Sequence, residues 1–258
     1  ATMGGTYEGE WDHGDICGKG KFTYRGGDTY EGEVKHGMKW GFGKYIHTTG
    51  ENYEGQYIEN LPNGNGKLIK VNGDICEGQW KDGNLEGNGK YIHEDGDIYD
   101  GEWHNGKKHG KGIMTHKNNK IYDGIWSKQK FIKGKVTFWN RDIYEGEWEN
   151  YIRDRRYGNP VGNGKMTYEN GDIYEGHWVE GKKHGSGKMT YNNGKIYDGE
   201  WEKGEITKGK MTYKNGETYE GEWVNDKFYG NGIYHRIDGN IYDGLWEKEE
   251  MTKGKMTY

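Results

Sequence analysis

The chain has 258 residues, and its composition excludes several ordinary classes of protein. Ile, Leu, Val and Phe together number 34, about 13% of the chain, below the ~20% at which disorder is suspected. Yet the chain has 22 Tyr, 11 Trp, 48 Gly and a formal net charge of only −5, whereas disordered chains are poor in aromatic residues and strongly charged. The composition therefore excludes a layered domain with an aliphatic core, argues against disorder, and favours a regular fold with an aromatic core.

Compartment and broad partner class follow from other absences in the sequence. No run approaches the ~20 apolar residues that a membrane helix needs, and no basic-then-apolar leader opens the chain. The balance of charge is slightly acidic, unlike the strongly basic domains that bind nucleic acids. Two cysteines are too few for a disulfide scaffold. We therefore expect an intracellular protein in a reducing compartment, and no nucleic-acid partner.

A pentad of the form aromatic–acid–Gly–x–aromatic recurs along the whole chain. Successive copies lie 22 or 23 residues apart, except for one interval of 30 residues. We interpret residues 1–258 as one continuous array of eleven repeats, with a loop insertion around residues 151–161. The repeats begin at Tyr7, Tyr30, Tyr53, Cys76, Tyr99, Tyr122, Tyr144, Tyr174, Tyr197, Tyr219 and Tyr242.

Each repeat is typical of two β-strands. In the first pentad Tyr7, Gly9 and Trp11 alternate with two glutamates, so the aromatic residues share one face of a strand. A second segment, residues 18–24, alternates in the same way, and Asn-Gly or Asp-Gly pairs between repeats predict tight turns. No 3.6-residue period is present. The predicted fold is all-β: a single-layer antiparallel β-hairpin solenoid of about 22 strands, an elongated twisted meander forming a trough-like rod.

The best-defined copy, residues 99–112, reads Tyr-Asp-Gly-Glu-Trp and then Lys-Lys-His-Gly-Lys-Gly. This pattern resembles the MORN repeat, and the resemblance covers essentially the whole chain. It implies an elongated hairpin solenoid that acts as a scaffold or binding module. Members of the family occur in ciliary and other cytoskeletal scaffolds, in membrane-junction proteins, and as appendages of lipid kinases and of a lysine methyltransferase. For some, phospholipid binding has been proposed; others bind a partner's helix in the trough.

The aromatic face of a one-layer sheet has nothing on its far side to cover it, so we expect an open aromatic trough. Its second-strand positions vary most between copies, and methionine, which suits adaptable surfaces, predominates in the later copies. We predict that a helical or extended protein segment binds there, although drift between copies would explain the variation equally well. The predicted partner-binding residues are Met166, Tyr168, Met189, Tyr191, Met211 and Tyr213.

The opposite face carries a ladder of Asp or Glu facing a row of Lys. Such a row is a candidate for phosphoinositides, but the neighbouring acids should neutralise most of it. Arg153, Arg155 and Arg156, half of the six arginines in the chain, lie in the insertion and form a candidate loop for an anion or a partner. A membrane lipid is therefore the less favoured partner.

Metal and catalytic sites are not predicted. His47, His93 and His116 occupy one column, but adjacent repeats are ~10 Å apart, too far to share one ion. There is no nucleophile elbow, phosphate loop or kinase signature. We expect no enzyme activity and no cofactor.

Three repeats have a shortened loop into which an apolar residue enters: Phe131, Ile206 and Met251. The change predicts either a locally tighter hairpin or an additional edge contact for a partner.

The leading functional hypothesis is a non-catalytic scaffold or adaptor that binds a protein segment along an aromatic trough, in a cytoskeletal or ciliary assembly. The resemblance to the family implies an intracellular location in the cytoplasm or cytoskeleton, with the cilium or the membrane-associated cortex as more specific settings. A phosphoinositide or anionic-membrane binding module is the first alternative, and a targeting appendage of a larger enzyme is the second. Both termini fall at repeat boundaries, so homo-oligomers could form through the ends of the array.

Overall fold

A computed structural model describes residues 5–150 and 158–258. Within these ranges the chain forms 22 β-strands in one antiparallel sheet and no helix. Strands that follow one another in the chain pair with one another, as β1 with β2, β2 with β3 and β21 with β22. The prediction of an all-β, single-layer hairpin meander is confirmed.

The strands are short and regular, mostly seven residues for the first of a hairpin and eight or nine for the second. Their bounds are β1 (Gly5–Asp12), β2 (Asp15–Tyr24), β3 (Thr29–Lys35), β4 (Met38–Ile46), β5 (Asn52–Ile58), β6 (Leu61–Ile69), β7 (Ile75–Lys81), β8 (Asn84–Ile92), β9 (Ile98–His104), β10 (Lys107–Thr115), β11 (Ile121–Ser127), β12 (Lys130–Thr137), β13 (Ile143–Asn150), β14 (Gly158–Thr167), β15 (Ile173–Val179), β16 (Lys182–Thr190), β17 (Ile196–Glu202), β18 (Glu205–Thr212), β19 (Thr218–Val224), β20 (Lys227–His235), β21 (Ile241–Glu247) and β22 (Glu250–Thr257).

By packing, the chain divides into two compact units, one up to Lys130 and one from Phe131 onward. In the first unit, Tyr30 and Tyr99 are fully buried on one face of the sheet. In the second unit, Tyr144, Tyr174 and Tyr197 are fully buried in the same way. The aromatic column predicted from the pentads is therefore the core of each unit.

Two kinds of turn connect the strands. Inside a repeat the turn has two residues with positive φ, such as His36 at 51° and Gly37 at 69°, as expected for a type I′ hairpin. Between repeats the turn is longer: the amide of Lys70 donates to the carbonyl of Asp74 at 2.9 Å, and only Gly73 has positive φ. The Asn-Gly and Asp-Gly pairs between repeats thus mark the longer turns, while the tightest turns lie within the repeats, as at Asn105-Gly106.

A β-bulge in the second strand of the hairpin explains why the pentad begins with tyrosine. In β9 and β10, Gly101 pairs with Gly112 and Trp103 with Lys108, so Glu102 of β9 faces three residues of β10, 109–111, and lies outside the register. The hydroxyl of Tyr99 donates to the carbonyl of Glu102 at 3.0 Å, which satisfies an acceptor that the bulge leaves outside the ladder. The same bond is made by Tyr7, Tyr30, Tyr53, Tyr144, Tyr174, Tyr197 and Tyr219.

The paired glycines make room for that tyrosine ring, and the tryptophan links neighbouring repeats. A Cβ on Gly112 would overlap the Tyr99 ring. The indole nitrogen of Trp126 donates to the Gly112 carbonyl of the preceding repeat at 2.9 Å. The Tyr99 ring also meets two tryptophans edge-on, Trp103 of its own repeat at 5.2 Å and Trp126 of the next at 5.3 Å. Within a unit, a repeat with this tryptophan therefore completes the core of the one before it.

Two of the apolar residues in the shortened loops belong to the core. Phe131 and Ile206 are buried, and Ile206 pairs directly with Trp201. The tighter-hairpin interpretation fits them, and the predicted edge contact for a partner does not, because neither side chain is exposed.

Candidate functional site

The six predicted partner-binding residues belong to one face of the second unit. Met166 lies opposite Tyr174, Tyr174 opposite Met189, and Met189 opposite Tyr197, and the row continues through Met211. Tyr168, Tyr191 and Tyr213 each lie two residues beyond one of the methionines, on the same face of the sheet. We call these three tyrosines the tyrosine strip.

Burial separates the methionines from the tyrosines. Met166, Met189 and Met211 are at most 8% exposed, so they pack between core tyrosines rather than face solvent. The rings of the tyrosine strip are only half-buried. A partner would therefore contact mainly the tyrosines, because the methionines are buried.

Backbone hydrogen bonds hold the strip in place. Each strip tyrosine follows its strand directly and donates its amide across the turn, Tyr168 to Asp172 at 2.9 Å and Tyr213 to Glu217 at 2.8 Å. Burial raises the pKa of Tyr168 to about 12, with a smaller contribution from the nearby carboxylates Asp142 and Asp172. The hydroxyls therefore stay protonated at neutral pH and can donate hydrogen bonds to a partner.

A lysine that the sequence analysis did not single out lies beside the strip. The Nζ of Lys183 is 5.6 Å from the centre of the Tyr168 ring, 5.4 Å from that of Tyr174 and 4.4 Å from that of Trp201. Its backbone pairs with Trp178. Lys39 and Lys108 occupy the equivalent position in the first unit, opposite Val34 and Trp103.

These lysines could have been found in the sequence by extending the alternation. Lys108 precedes Gly112 by four residues, which places it on the same face as the glycine. However, lysine side chains usually extend to solvent, and the sequence alone does not show the rings beneath the ammonium group.

The opposite face carries the predicted ladder of opposite charges. Lys44 contacts Glu54 at 3.3 Å, Lys90 contacts Asp100 at 3.5 Å, and in the second unit Lys165 contacts Glu175 at 2.9 Å. The ladder register also places Glu54 opposite both Lys44 and Lys67. The lysine row is thus interleaved with acids along its length.

The histidine column pairs with turn carboxylates instead of converging. The Nδ1 atom of His116 lies 2.6 Å from Asp97, His47 lies 3.7 Å from Asp28, and His93 lies near Asp74. Within 5–150 and 158–258, no group of three or more His, Cys, Asp or Glu side chains is placed to hold a metal ion.

Of the predicted insertion, Arg153, Arg155 and Arg156 lie outside the described residues, so their role stays a prediction. Residues 158–161 belong to β14, where Pro160 pairs with Trp148. In the part of the chain that the structure describes, no helix is long and apolar enough to cross a membrane.

Comparison with known proteins identifies the repeat. The family model described as MORN repeat matches ten segments that together cover most of the chain: residues 7–29, 30–51, 53–75, 76–98, 99–120, 144–154, 156–173, 174–196, 197–218 and 219–241. A comparison with curated protein sequences finds no match.

Similar solved structures include the TCP10 domain of Danio rerio CPAP in complex with a peptide of Danio rerio STIL. It is 14% identical, with a TM-score of 0.46, over 84% of this chain and 93% of that chain. The CPAP G-box domain is 12% identical, with a TM-score of 0.43, over 84% of this chain and 99% of that one.

Proposed function

This chain belongs to the MORN-repeat family, and from that premise we propose that it is a non-catalytic scaffold that binds a helical or extended protein segment along its aromatic face. The tyrosine strip is the main contact surface in the second unit. A cytoskeletal or ciliary assembly inside the cell is the setting that we propose for it.

The observation that carries the proposal is the difference in burial between the core and the strip. The core tyrosines Tyr174 and Tyr197 are fully buried, whereas the strip tyrosines, on the same face, are only partly buried. Tyrosine combines a large apolar ring with a hydrogen-bonding hydroxyl, which suits a protein interface. The strip therefore presents a partner with rings that the fold does not fully enclose.

The spacing of the strip fits a regular partner. Equivalent residues of adjacent repeats lie about 10 Å apart, because two strand spacings separate them. Two turns of an α-helix rise about 11 Å, so a helix running along the row would meet each repeat with the same side. An extended segment in the polyproline II conformation would do so every third residue, because its three-residue turn rises about 9 Å. Both geometries support a linear segment, in the groove-binding manner of amphipathic helices.

The proposal is tested with peptides selected from a random 20-residue library on the full chain. Affinity is then measured for the parent and for the triple variant Tyr168→Ala, Tyr191→Ala and Tyr213→Ala. Because aromatic anchors often contribute more than ~1 kcal/mol each, we expect the triple variant to bind at least about tenfold more weakly. Its circular dichroism should keep the strand signal, since the Tyr174 and Trp178 positions are unchanged.

A matched control removes exposed apolar side chains from the other face of the same unit. Tyr229 and Ile233 are 47% and 38% exposed and pair with Glu222 and Glu220 of the charged face. The double variant Tyr229→Ala and Ile233→Ala should bind like the parent. If the control loses affinity and the triple variant does not, the aromatic face is only a core and the proposal fails.

A further inference from the structure

Three lysines occupy a position that other repeats fill with apolar side chains. The residue paired with the tryptophan of each hairpin, or with its substitute, is Leu85, Ile206 or Phe228 in three repeats, and all three are buried. In three others it is Lys39, Lys108 or Lys183. Since apolar residues satisfy the fold there, the lysines are not required for packing.

The ammonium groups lie above aromatic rings. The Nζ of Lys39 is 3.9 Å from the centre of the Tyr45 ring and between 5.4 and 6.0 Å from those of Tyr57, Tyr30 and Tyr24. In Lys108 the Nζ is 4.9 Å from the Tyr99 ring. Ring faces stabilise a cation, but they accept no strong hydrogen bond. The Nζ atoms of Lys108 and Lys183 also donate to the weak thioether acceptors of Met114 at 3.5 Å and Met189 at 4.0 Å. At least two donors of each ammonium group are therefore left for water or a ligand.

No carboxylate of the described chain forms an ion pair within 4.0 Å of any of these three lysines. The nearby acids already accept other hydrogen bonds: Asp97 accepts from the Lys117 amide at 2.9 Å and Asp172 from the Asn192 amide at 2.8 Å. Burial lowers the pKa of Lys183, and the carboxylates of Asp172 and Asp226 only partly offset it. A half-buried cation without an anionic partner is a costly feature to retain for stability alone.

We propose that Lys39, Lys108 and Lys183 are anchoring points for carboxylates of the bound segment, so that the partner is an acidic peptide segment with Asp or Glu at matching positions. This inference rests on the proposed function and gives its partner a charge. Lys183 adjoins the tyrosine strip through Tyr168, so ring contacts and the ion pair would form in one place.

The spacing in the first unit predicts a pattern in the partner. Lys39 and Lys108 are separated by six strand-to-strand steps, from β4 to β10, or about 29 Å along the sheet. An extended segment covers that span in about nine residues at ~3.3 Å per residue. A helix needs about 19 residues at 1.5 Å per residue. Acidic residues at one of these two separations would engage both lysines.

A lipid headgroup suits these lysines less well. Phosphate groups are held best by clustered cations, often arginine, whereas Lys39, Lys108 and Lys183 are about three repeats from one another along the chain and recessed among rings. A carboxylate on a flexible peptide side chain needs only one such cation. A protein segment is therefore the expected source of the carboxylates, and lipid vesicles are tested as the alternative ligand.

The experiment repeats the library selection on the parent and on the triple variant Lys39→Met, Lys108→Met and Lys183→Met. Methionine is chosen because Met251 occupies this position opposite Trp246 in the last repeat. The matched control, Lys44→Met, Lys90→Met and Lys188→Met, removes the same charge from the opposite face of the sheet, in strands β4, β8 and β16. Strands β4 and β16 also carry Lys39 and Lys183. Vesicles containing 5% phosphatidylinositol bisphosphate are tested in parallel.

Parent and control should enrich Asp and Glu in the selected peptides, and the Lys39, Lys108 and Lys183 variant should lose that enrichment and bind the acidic peptides at least about tenfold more weakly. Selected peptides that need the tyrosine strip but carry no excess of acids would overturn this inference and leave the proposed function intact. Failure to select any peptide would count against both. Vesicle binding that depends on these lysines, without acidic peptides, would also overturn it.

Discussion

At the scale of single residues, Lys39, Lys108 and Lys183 carry ammonium groups whose pKa is lowered by burial among aromatic rings. Burial lowers the pKa of Lys108 to about 8, and the carboxylate of Asp97 offsets this only in part. Burial also lowers the pKa of Lys39 to about 8, and the carboxylate of Asp28 offsets this in part. Such a group costs stability while it is protonated.

This gives a pH-dependent prediction for Lys108→Met. In the folded protein Lys108 releases its proton near pH 8, whereas an unfolded lysine keeps it to about pH 10.4, so this group's contribution to stability rises with pH between those values. The variant lacks the buried charge. We expect it to be about 1 kcal/mol more stable than the parent at pH 7, after loss of the cation–π contacts is counted, with the gain shrinking towards pH 10.

Urea unfolding at pH 7, 8, 9 and 10 measures this difference. Lys90→Met is the control, because Lys90 is exposed and paired with Asp100 at 3.5 Å, and its change should be small and independent of pH. Burial also raises the pKa of core tyrosines, that of Tyr53 to about 12. Because the same side chains lose their protons near pH 10 in the unfolded chain, this effect destabilises parent and variants alike, and only above about pH 10. A constant or growing gain for Lys108→Met across this range would contradict the argument.

At the scale of the hairpin, the unit of packing is one tyrosine lying over two paired glycines. The chain contains its own exception, because Cys76 replaces the tyrosine in the fourth repeat while Gly78 and Gly89 remain paired. A Cβ on Gly89 would meet the Trp103 side chain at 3.1 Å, whereas one on Gly112 would overlap the Tyr99 hydroxyl and ring. The same glycine position therefore has two different environments in one molecule.

We predict that Gly112→Ala destabilises the chain by about 1–3 kcal/mol, the usual cost of overpacking a closely packed site. It displaces the Tyr99 ring and with it the hydroxyl bond to Glu102. Gly89→Ala should cost less than about 1 kcal/mol, because the Trp103 ring needs to move only a few tenths of an ångström. Thermal unfolding of both variants gives the comparison. Equal costs would show that backbone contacts, rather than the tyrosine ring, require the glycine.

At the scale of the whole molecule, charge balance argues against a strong membrane interaction. The net charge is −5, and the lysines of the charged face alternate with acids across the sheet, as Lys165 does with Glu145 and Glu175. Interleaved charges of both signs produce only a weak net electrostatic field, so an anionic membrane surface attracts the protein weakly. Any electrostatic attraction that remains is screened by salt.

We therefore predict weak sedimentation with vesicles containing anionic lipid at 150 mM salt, and a steep fall between 50 and 200 mM salt. Neutral phosphatidylcholine vesicles are the control for non-specific binding. Strong, salt-resistant binding to phosphoinositide vesicles would reverse the preference for a protein partner. If Arg153→Ala, Arg155→Ala and Arg156→Ala together then removed it, the site would be the insertion.

Much of the fold was determined by the sequence itself. The 22–23-residue period, the alternation within each pentad and the recurring glycines predict two strands per repeat, an aromatic face and a charged face. These succeed because a repeat protein applies the same local rules many times, and strand alternation is a local property. The predicted partner-binding residues were found on the expected face for the same reason.

Only the tertiary structure decided which of those residues are accessible and what stands opposite each tryptophan. Met166 and Met189 share the strip's face but are buried, since neighbouring strands bring the core tyrosines against both sides of them. Alternation from Gly209 would place Ile206 on the charged face, yet the bulge beside Trp201 turns it into the core. Bulges and cross-strand packing depend on the neighbouring strand, so a single strand's pattern does not contain them. For the same reason, the spacing of Lys183 assigns it to the aromatic face, but only the structure shows that its ammonium group lies near the rings of Tyr168 and Trp201.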